Sequence, residues 1–145
     1  MESLTPFEFF KKEVSHEDVV VRTEAMLKML LIASLMDPGD VREQLVPLLA
    51  SKLQVEEPEH DQVLLAMAKH LGGVLPFMGG AEHAGLLVPI LEGLLAKEET
   101  YVRNHAARSA SAILQSMEAA HLVQLDEYRE LFRRLVPTEE AGDVF

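Results

Sequence analysis

The side chains with most chemical potential in this sequence are six histidines and 24 carboxylates. Together they are the raw material of a metal centre or an acid–base pair, which needs several imidazole or carboxylate donors converging on one point. The spacing does not supply one. His16, His60, His70, His83, His105 and His121 are scattered along the chain, and no HExxH motif occurs. The closest pairings, His16-Glu17-Asp18 and His60-Asp61, fall at expected helix starts, where side chains diverge. Cysteine is absent, which removes disulfides, thiolate metal sites and a cysteine nucleophile. The pairs Gly72-Gly73 and Gly79-Gly80 fit neither a dinucleotide-binding nor a P-loop spacing and read as punctuation between helices. No catalytic, cofactor-binding or metal-binding residue is assigned, and a small all-α metal-dependent hydrolase is the weakest reading.

The carboxylates are organised differently. Windows 13–18, 56–61, 98–101 and 138–143 hold Glu13, Glu17, Asp18, Glu56, Glu57, Glu59, Asp61, Glu98, Glu99, Glu139, Glu140 and Asp143, with no Lys or Arg among them. Half of all the acids thus sit in four short stretches at similar intervals. Acids just before a helix cap its free N–H groups, so Asp18, Asp61 and Glu99 read first as caps. The excess acids, such as Glu56, Glu57 and Glu98, are less well explained by capping, and a ridge of them would steer a basic partner. The net charge of −11 disfavours nucleic acid and anionic membrane as partners. No apolar stretch approaches the ~20 residues of a membrane span, and the amino end carries acid where a secretory signal wants base. A cytoplasmic or nuclear home is the expectation.

These intervals require repeating elements. Glu17-Asp18-Val19-Val20-Val21-Arg22 with Ala25 returns as Glu98-Glu99-Thr100-Tyr101-Val102-Arg103 with Ala106, and Asp61-Gln62-Val63-Leu64-Leu65 with Ala68 lies between them. Pro6, Pro47 and Pro89 keep the same period of about forty residues. Apolar spacings such as Leu45, Leu48, Leu49 and Leu53, or Leu64, Met67, Ala68 and Leu71, are helical. Helices are expected near 5–14, 18–35, 41–54, 60–75, 81–96, 100–117 and 121–136. Thr5-Pro6-Phe7-Glu8 is a capping box, and Asp40 with Glu43 has the same spacing. Pro47 and Pro89 predict kinks in the first helix of their units.

A forty-residue helix pair cannot bury its own apolar stripe, so the pairs must stack into an all-α superhelix of about three and a half pairs. A single segment over 1–145 is expected, with repeats at about 1–37, 38–78, 79–118 and an incomplete 119–145. Arg22 and Arg103 share one repeat position, suited to a rung between layers, whereas Leu65 takes that place in the second repeat. The last helix is expected to leave Leu131, Phe132, Leu135 and Val136 partly uncovered, a surface on which a second copy can pack. The methionines, including Met26, Met29 and Met67, read as core filling.

The repeats resemble HEAT repeats, with proline in the first helix and acid, Val-Arg and Ala in the second. More narrowly, Asp61 to Gly72, Gly79-Gly80-Ala81-Glu82, Leu87-Val88-Pro89-Ile90-Leu91-Glu92 and Glu98-Glu99-Thr100-Tyr101-Val102-Arg103 resemble the amino-terminal repeats of the scaffold (A) subunits of protein phosphatase 2A. That resemblance implies a non-catalytic HEAT-repeat solenoid whose turns receive regulatory, B-type subunits and whose later repeats hold the catalytic subunit. The contact residues it implies are Asp61, Gln62, Glu98, Glu99, Thr100 and Tyr101, with no cofactor. Binding of the catalytic subunit is not expected of these repeats alone. The sequence departs from the family at Gln62, where another acid is common, and at Glu130, which replaces the repeated proline. A HEAT-repeat adaptor of another system, such as nuclear transport, is the alternative.

Overall fold

The computed structural model describes residues 3–117 and 121–135, and all of its regular structure among them is helical. The first helix, α1 (Pro6–Val14), opens on the expected box: Thr5 Oγ1 accepts from the Glu8 N–H and the Glu8 carboxylate accepts from the Thr5 N–H, both at 3.1 Å. Next come α2 (Val19–Leu27) and α3 (Met29–Ser34), one rod interrupted at Lys28, a break the apolar pattern does not signal.

The second pair starts with α4 (Pro38–Asp40), a π turn over Val41–Leu45, α5 (Val46–Ser51) and a 3-10 turn over Lys52–Gln54. Pro47 lacks the N–H that would bond back one turn, and the wider π geometry immediately before it takes up that irregularity. Asp40 is therefore inside a helical rod, not at its cap; its Oδ1 accepts from Gln44 Nε2 at 3.3 Å.

A 3-10 turn over Pro58–His60 leads into α6 (Asp61–His70), which continues as 3-10 helix over Leu71–Met78. The third pair has a 3-10 stretch, Ala81–Leu87, running into α7 (Val88–Leu95), followed by α8 (Thr100–Gln115). Pro89 falls in the first turn of α7, where its missing donor costs little. The last described helix is α9 (Leu122–Leu135).

Two layers result. The rods containing α2, α6 and α8 pack side by side, and α5, α7 and α9 form the other layer, with α1 on α2 and α7 on α8 closing the hairpins. One apolar core runs through them, including Met26, Met29, Leu45, Leu49, Met67, Leu71, Leu91, Leu94, Val102 and Ala106. Side-chain hydrogen bonds between neighbouring hairpins span about one repeat each, Ser109 to Ala68, Tyr128 to Ala84 and Gln124 to Glu82, while Arg42 to Met78 closes the second hairpin on itself. Nearest-neighbour bonding of this kind is what an α-solenoid requires. The sequence expectation of an all-α, HEAT-like solenoid built from seven rods therefore agrees with the architecture among the described residues.

The end of that stack differs from expectation. Leu131 and Phe132 are buried, as is Tyr128, because α9 lies on the rod holding Ala84 and α7. Leu122 and Val123 are the large exposed apolar residues of α9 instead. Leu135 is half-buried, and Val136 lies outside the described residues.

The glycine pairs separate into two roles. Gly79 and Gly80 have φ of +102° and +104°, and they end the second pair as punctuation. Gly72 and Gly73 are not punctuation: a Cβ on Gly72 would come 3.1 Å from the Ser109 carbonyl oxygen, and one on Gly73 would come 2.9 Å from Leu30. They permit rods to approach.

Candidate partner-binding edge

The hairpin turns lie along one edge because three cations stitch each to its neighbour. Arg22, 7% exposed, donates to the His16 carbonyl at 3.3 Å and to Glu57 Oε2 of the next repeat at 2.9 Å. Lys52 Nζ reaches back to Ser15 Oγ at 2.8 Å, and Lys97 Nζ reaches back to the Leu53 carbonyl at 2.8 Å. Burial, with Arg22 and Lys11 nearby, lowers the Lys52 pKa. The lysines are invisible as tethers in the sequence, although both end the first helix of their hairpin. In space, the ridge of acids is interlaced with these cations.

The expected rung is real at Arg22, which joins two repeats. Arg103 does something else: it donates to the Lys97 and Glu98 carbonyls and to Thr100 Oγ1, clamping its own turn. Glu57, one of the acids that capping did not explain, is the partner of Arg22.

Capping divides the acids. Asp18 accepts from the Val20 N–H at 2.9 Å and Glu99 from the Tyr101 N–H at 3.1 Å, so both are N-caps. Asp61 is not. The cap position of α6 belongs to His60, 42 residues after Asp18 and 39 before Glu99, and Asp61 is the first helical residue. The identity-based register, pairing Asp61 with Asp18, is off by one. The 3-10 turn at Pro58–His60 absorbs the difference, and the buried faces agree: Val63, Met67, Ala68 and Leu71 take the places of Val102, Ala106, Ala107 and Ala110. Leu64, not Leu65, consequently occupies the place of Arg22.

His60 is 1% exposed. Its Nε2 is 2.9 Å from the Lys52 carbonyl, which only accepts, so Nε2 carries the proton and Nδ1 is left without a partner. Burial holds its pKa below the usual 6.5, with Arg22 and Lys52 adding to that. His16 Nδ1 accepts from the Asp18 N–H at 2.9 Å. No group of three His, Asp or Glu suited to a metal ion exists among the described residues.

The six sequence-nominated residues fall on equivalent corners. Asp61 and Gln62 open α6, as Thr100 and Tyr101 open α8, while Glu98 and Glu99 form the turn before α8. Gln62, Glu98 and Thr100 are exposed, Asp61 and Glu99 half-buried. Tyr101 is 68% exposed, with Val20 at its place in the first repeat also exposed. The acids at 139, 140 and 143 lie outside the described residues. Among those described, no helix is long and apolar enough to cross a membrane.

No protein-family model matches the chain. Curated proteins do. The sequence is 36% identical over 121 residues to the regulatory A-type subunit of protein phosphatase PP2A from Saccharomyces cerevisiae, covering 83% of this chain and 19% of that protein. It is 35% identical over 147 residues to the 65 kDa regulatory subunit of serine/threonine-protein phosphatase PP2A from Drosophila melanogaster, covering 99% and 23%. With the scaffold subunit of protein phosphatase 2A from Dictyostelium discoideum it shares 34% identity over 105 residues, covering 72% and 18%. The chain spans about a fifth of the length of the curated relatives it matches. Similarity sustained over nearly all of its helical hairpins places the chain in the family of protein phosphatase 2A scaffold (A) subunits.

Proposed function

We propose that this solenoid is a non-catalytic interaction module that receives regulatory, B-type phosphatase subunits along its turn edge. The observation that carries the reading is the corner before α8. Tyr101 stands 68% exposed, beside exposed Glu98 and Thr100, on a turn whose backbone Arg103 and Lys97 hold in place. A rigid corner presenting an aromatic ring with carboxylates has the composition of an interface anchor, because little conformational entropy is lost on docking. Asp61 and Gln62 repeat the presentation one hairpin earlier, and Glu99 supports it by capping α8. The kinship with phosphatase scaffold subunits supports the choice of partner class. We place this activity in the cytoplasm or nucleus.

Pull-down of a purified B-type subunit by the chain tests the proposal. Tyr101→Ala and the pair Glu98→Lys with Glu99→Gln should each reduce recovery, and binding should weaken as salt rises. Unchanged recovery with all three substitutions combined would remove this edge as the docking site.

A further inference from the structure

The second face of interest lies about 10 Å along the second-helix layer from the turn edge, two helical turns beyond Gln62. There Lys69 on α6 and Arg108 on α8 occupy the same repeat position, 39 residues apart, and both are exposed. They line a shallow groove of about 300 Å³ with Gly72, Gly73, His105, Ser109 and Ala112. No carboxylate lines it. Among the described residues, neither Lys69 nor Arg108 has a carboxylate within salt-bridge distance, although the chain carries 24 acids and most of its other arginines are paired or clamp carbonyls. Half-buried His105 feels both cations: burial first, then Arg108 and Lys69, lower its pKa.

In a protein of net charge −11, a cationic groove that meets no internal anion is a complement held open. Ser109, which also lines it, is already committed to the Ala68 carbonyl, so the free polar groups of the groove are the two cations and His105. We propose that this groove docks an acidic, extended peptide segment of a partner protein, with Lys69 and Arg108 each taking a carboxylate and His105 between them. Arg108 can fork two N–H groups onto one carboxylate, while Lys69 acts as a point charge. The turn edge and this groove are then of opposite sign, so one partner laid across both must carry base at one end and acid further in. Docking here does not depend on which phosphatase subunit the turn edge receives.

Fluorescence anisotropy of a labelled octaglutamate peptide against the full chain tests it without any phosphatase component. Binding should occur at low salt, weaken as salt rises, and fall at least about tenfold in the double variant Lys69→Glu, Arg108→Glu. The milder pair Lys69→Gln, Arg108→Gln should also weaken it, while Lys11→Glu with Lys12→Glu, the same charge change on α1, should leave it nearly intact. An octaglutamine peptide should not bind. Absence of octaglutamate binding, equal loss in the Lys11 and Lys12 control, or tighter binding of a single-stranded oligonucleotide than of the peptide would each overturn the assignment.

Discussion

Ser109 Oγ donates to the Ala68 carbonyl at 2.6 Å and accepts from the Gly72 N–H at 3.2 Å, so one buried hydroxyl ties α8 to the end of α6. The bond joins successive repeats where the missing side chain of Gly72 leaves room for the Ser109 backbone.

Removing that hydroxyl should therefore loosen the stack. Ser109→Ala removes both bonds at once, at a cost of about 1–3 kcal/mol. Gly72→Ala should be at least as damaging, because its Cβ would lie 3.1 Å from the Ser109 carbonyl oxygen, and backbone must move. Urea unfolding of both variants reads the change directly. A variant as stable as the wild type would mean that the contact is not bonded in solution.

The Arg22–Glu57 pair predicts an asymmetry. Glu57→Ala strands a guanidinium whose side chain is 9% exposed, whereas Arg22→Leu releases a carboxylate whose side chain is 54% exposed and can hydrate. The equivalent position already holds buried Leu64, so an apolar side chain suits that place. Glu57→Ala should cost about 1–3 kcal/mol and Arg22→Leu about 1 kcal/mol or less, the reverse of a simple count of bonds lost. Denaturant midpoints at neutral pH distinguish the two orders.

Tyr128 gives a measure of how firmly the last described helix is attached. Its hydroxyl donates to the Ala84 carbonyl at 2.8 Å, and burial, with Glu127 adjacent, raises its pKa. Tyr128→Phe keeps the ring and removes the bond to the buried Ala84 carbonyl, for a loss of about 1–2 kcal/mol. Hydrogen exchange should show the loss as faster opening of α9, while α6 stays protected.

Much of this architecture is legible in the residues. Pro6, Pro47 and Pro89 mark the period, Thr5 and Glu8 mark the first cap, and the spacing of Leu64, Met67, Ala68 and Leu71 marks a buried helical face. The register of the second repeat is not, because matching Asp61 to Asp18 rewards identity, whereas the fold aligns buried faces and lets Pro58–His60 absorb the slip. Lys52 and Lys97 escape notice as tethers because their partners, Ser15 Oγ and the Leu53 carbonyl, belong to another hairpin. Gly72 and Gly73 look like breakers because the rods they admit, carrying Ser109 and Leu30, come from distant sequence.

His60 should make stability depend on pH. Its neutral form is favoured by burial, so its folded pKa lies below 6.5, and the unfolded chain binds more protons than the native one just below that value. Its contribution is complete above pH about 6.5 and is lost as pH falls from there toward the folded pKa. Half-buried His105, shifted the same way, adds to the slope. His60→Gln keeps a donor near the Lys52 carbonyl and removes the titration, so its stability should change less between pH 7.5 and 5.5 than that of the wild type. An identical decline in both proteins would assign the slope to other groups.

Capping and partner binding can be separated on the turn edge, because Glu99 and Asp61 are not equivalent. Glu99 accepts from the Tyr101 N–H and fixes the first turn of α8, so Glu99→Ala should lower stability by about 1 kcal/mol. Asp61 makes no cap bond and stands in the first turn of α6, where a carboxylate contributes about 0.3–1 kcal/mol through the helix dipole. Asp61→Asn should therefore cost about 0.3–1 kcal/mol in thermal unfolding while still weakening regulatory-subunit capture. A large stability loss at Asp61 with no effect on capture would reverse the roles, making Asp61 structural and leaving the edge to Glu98 and Tyr101.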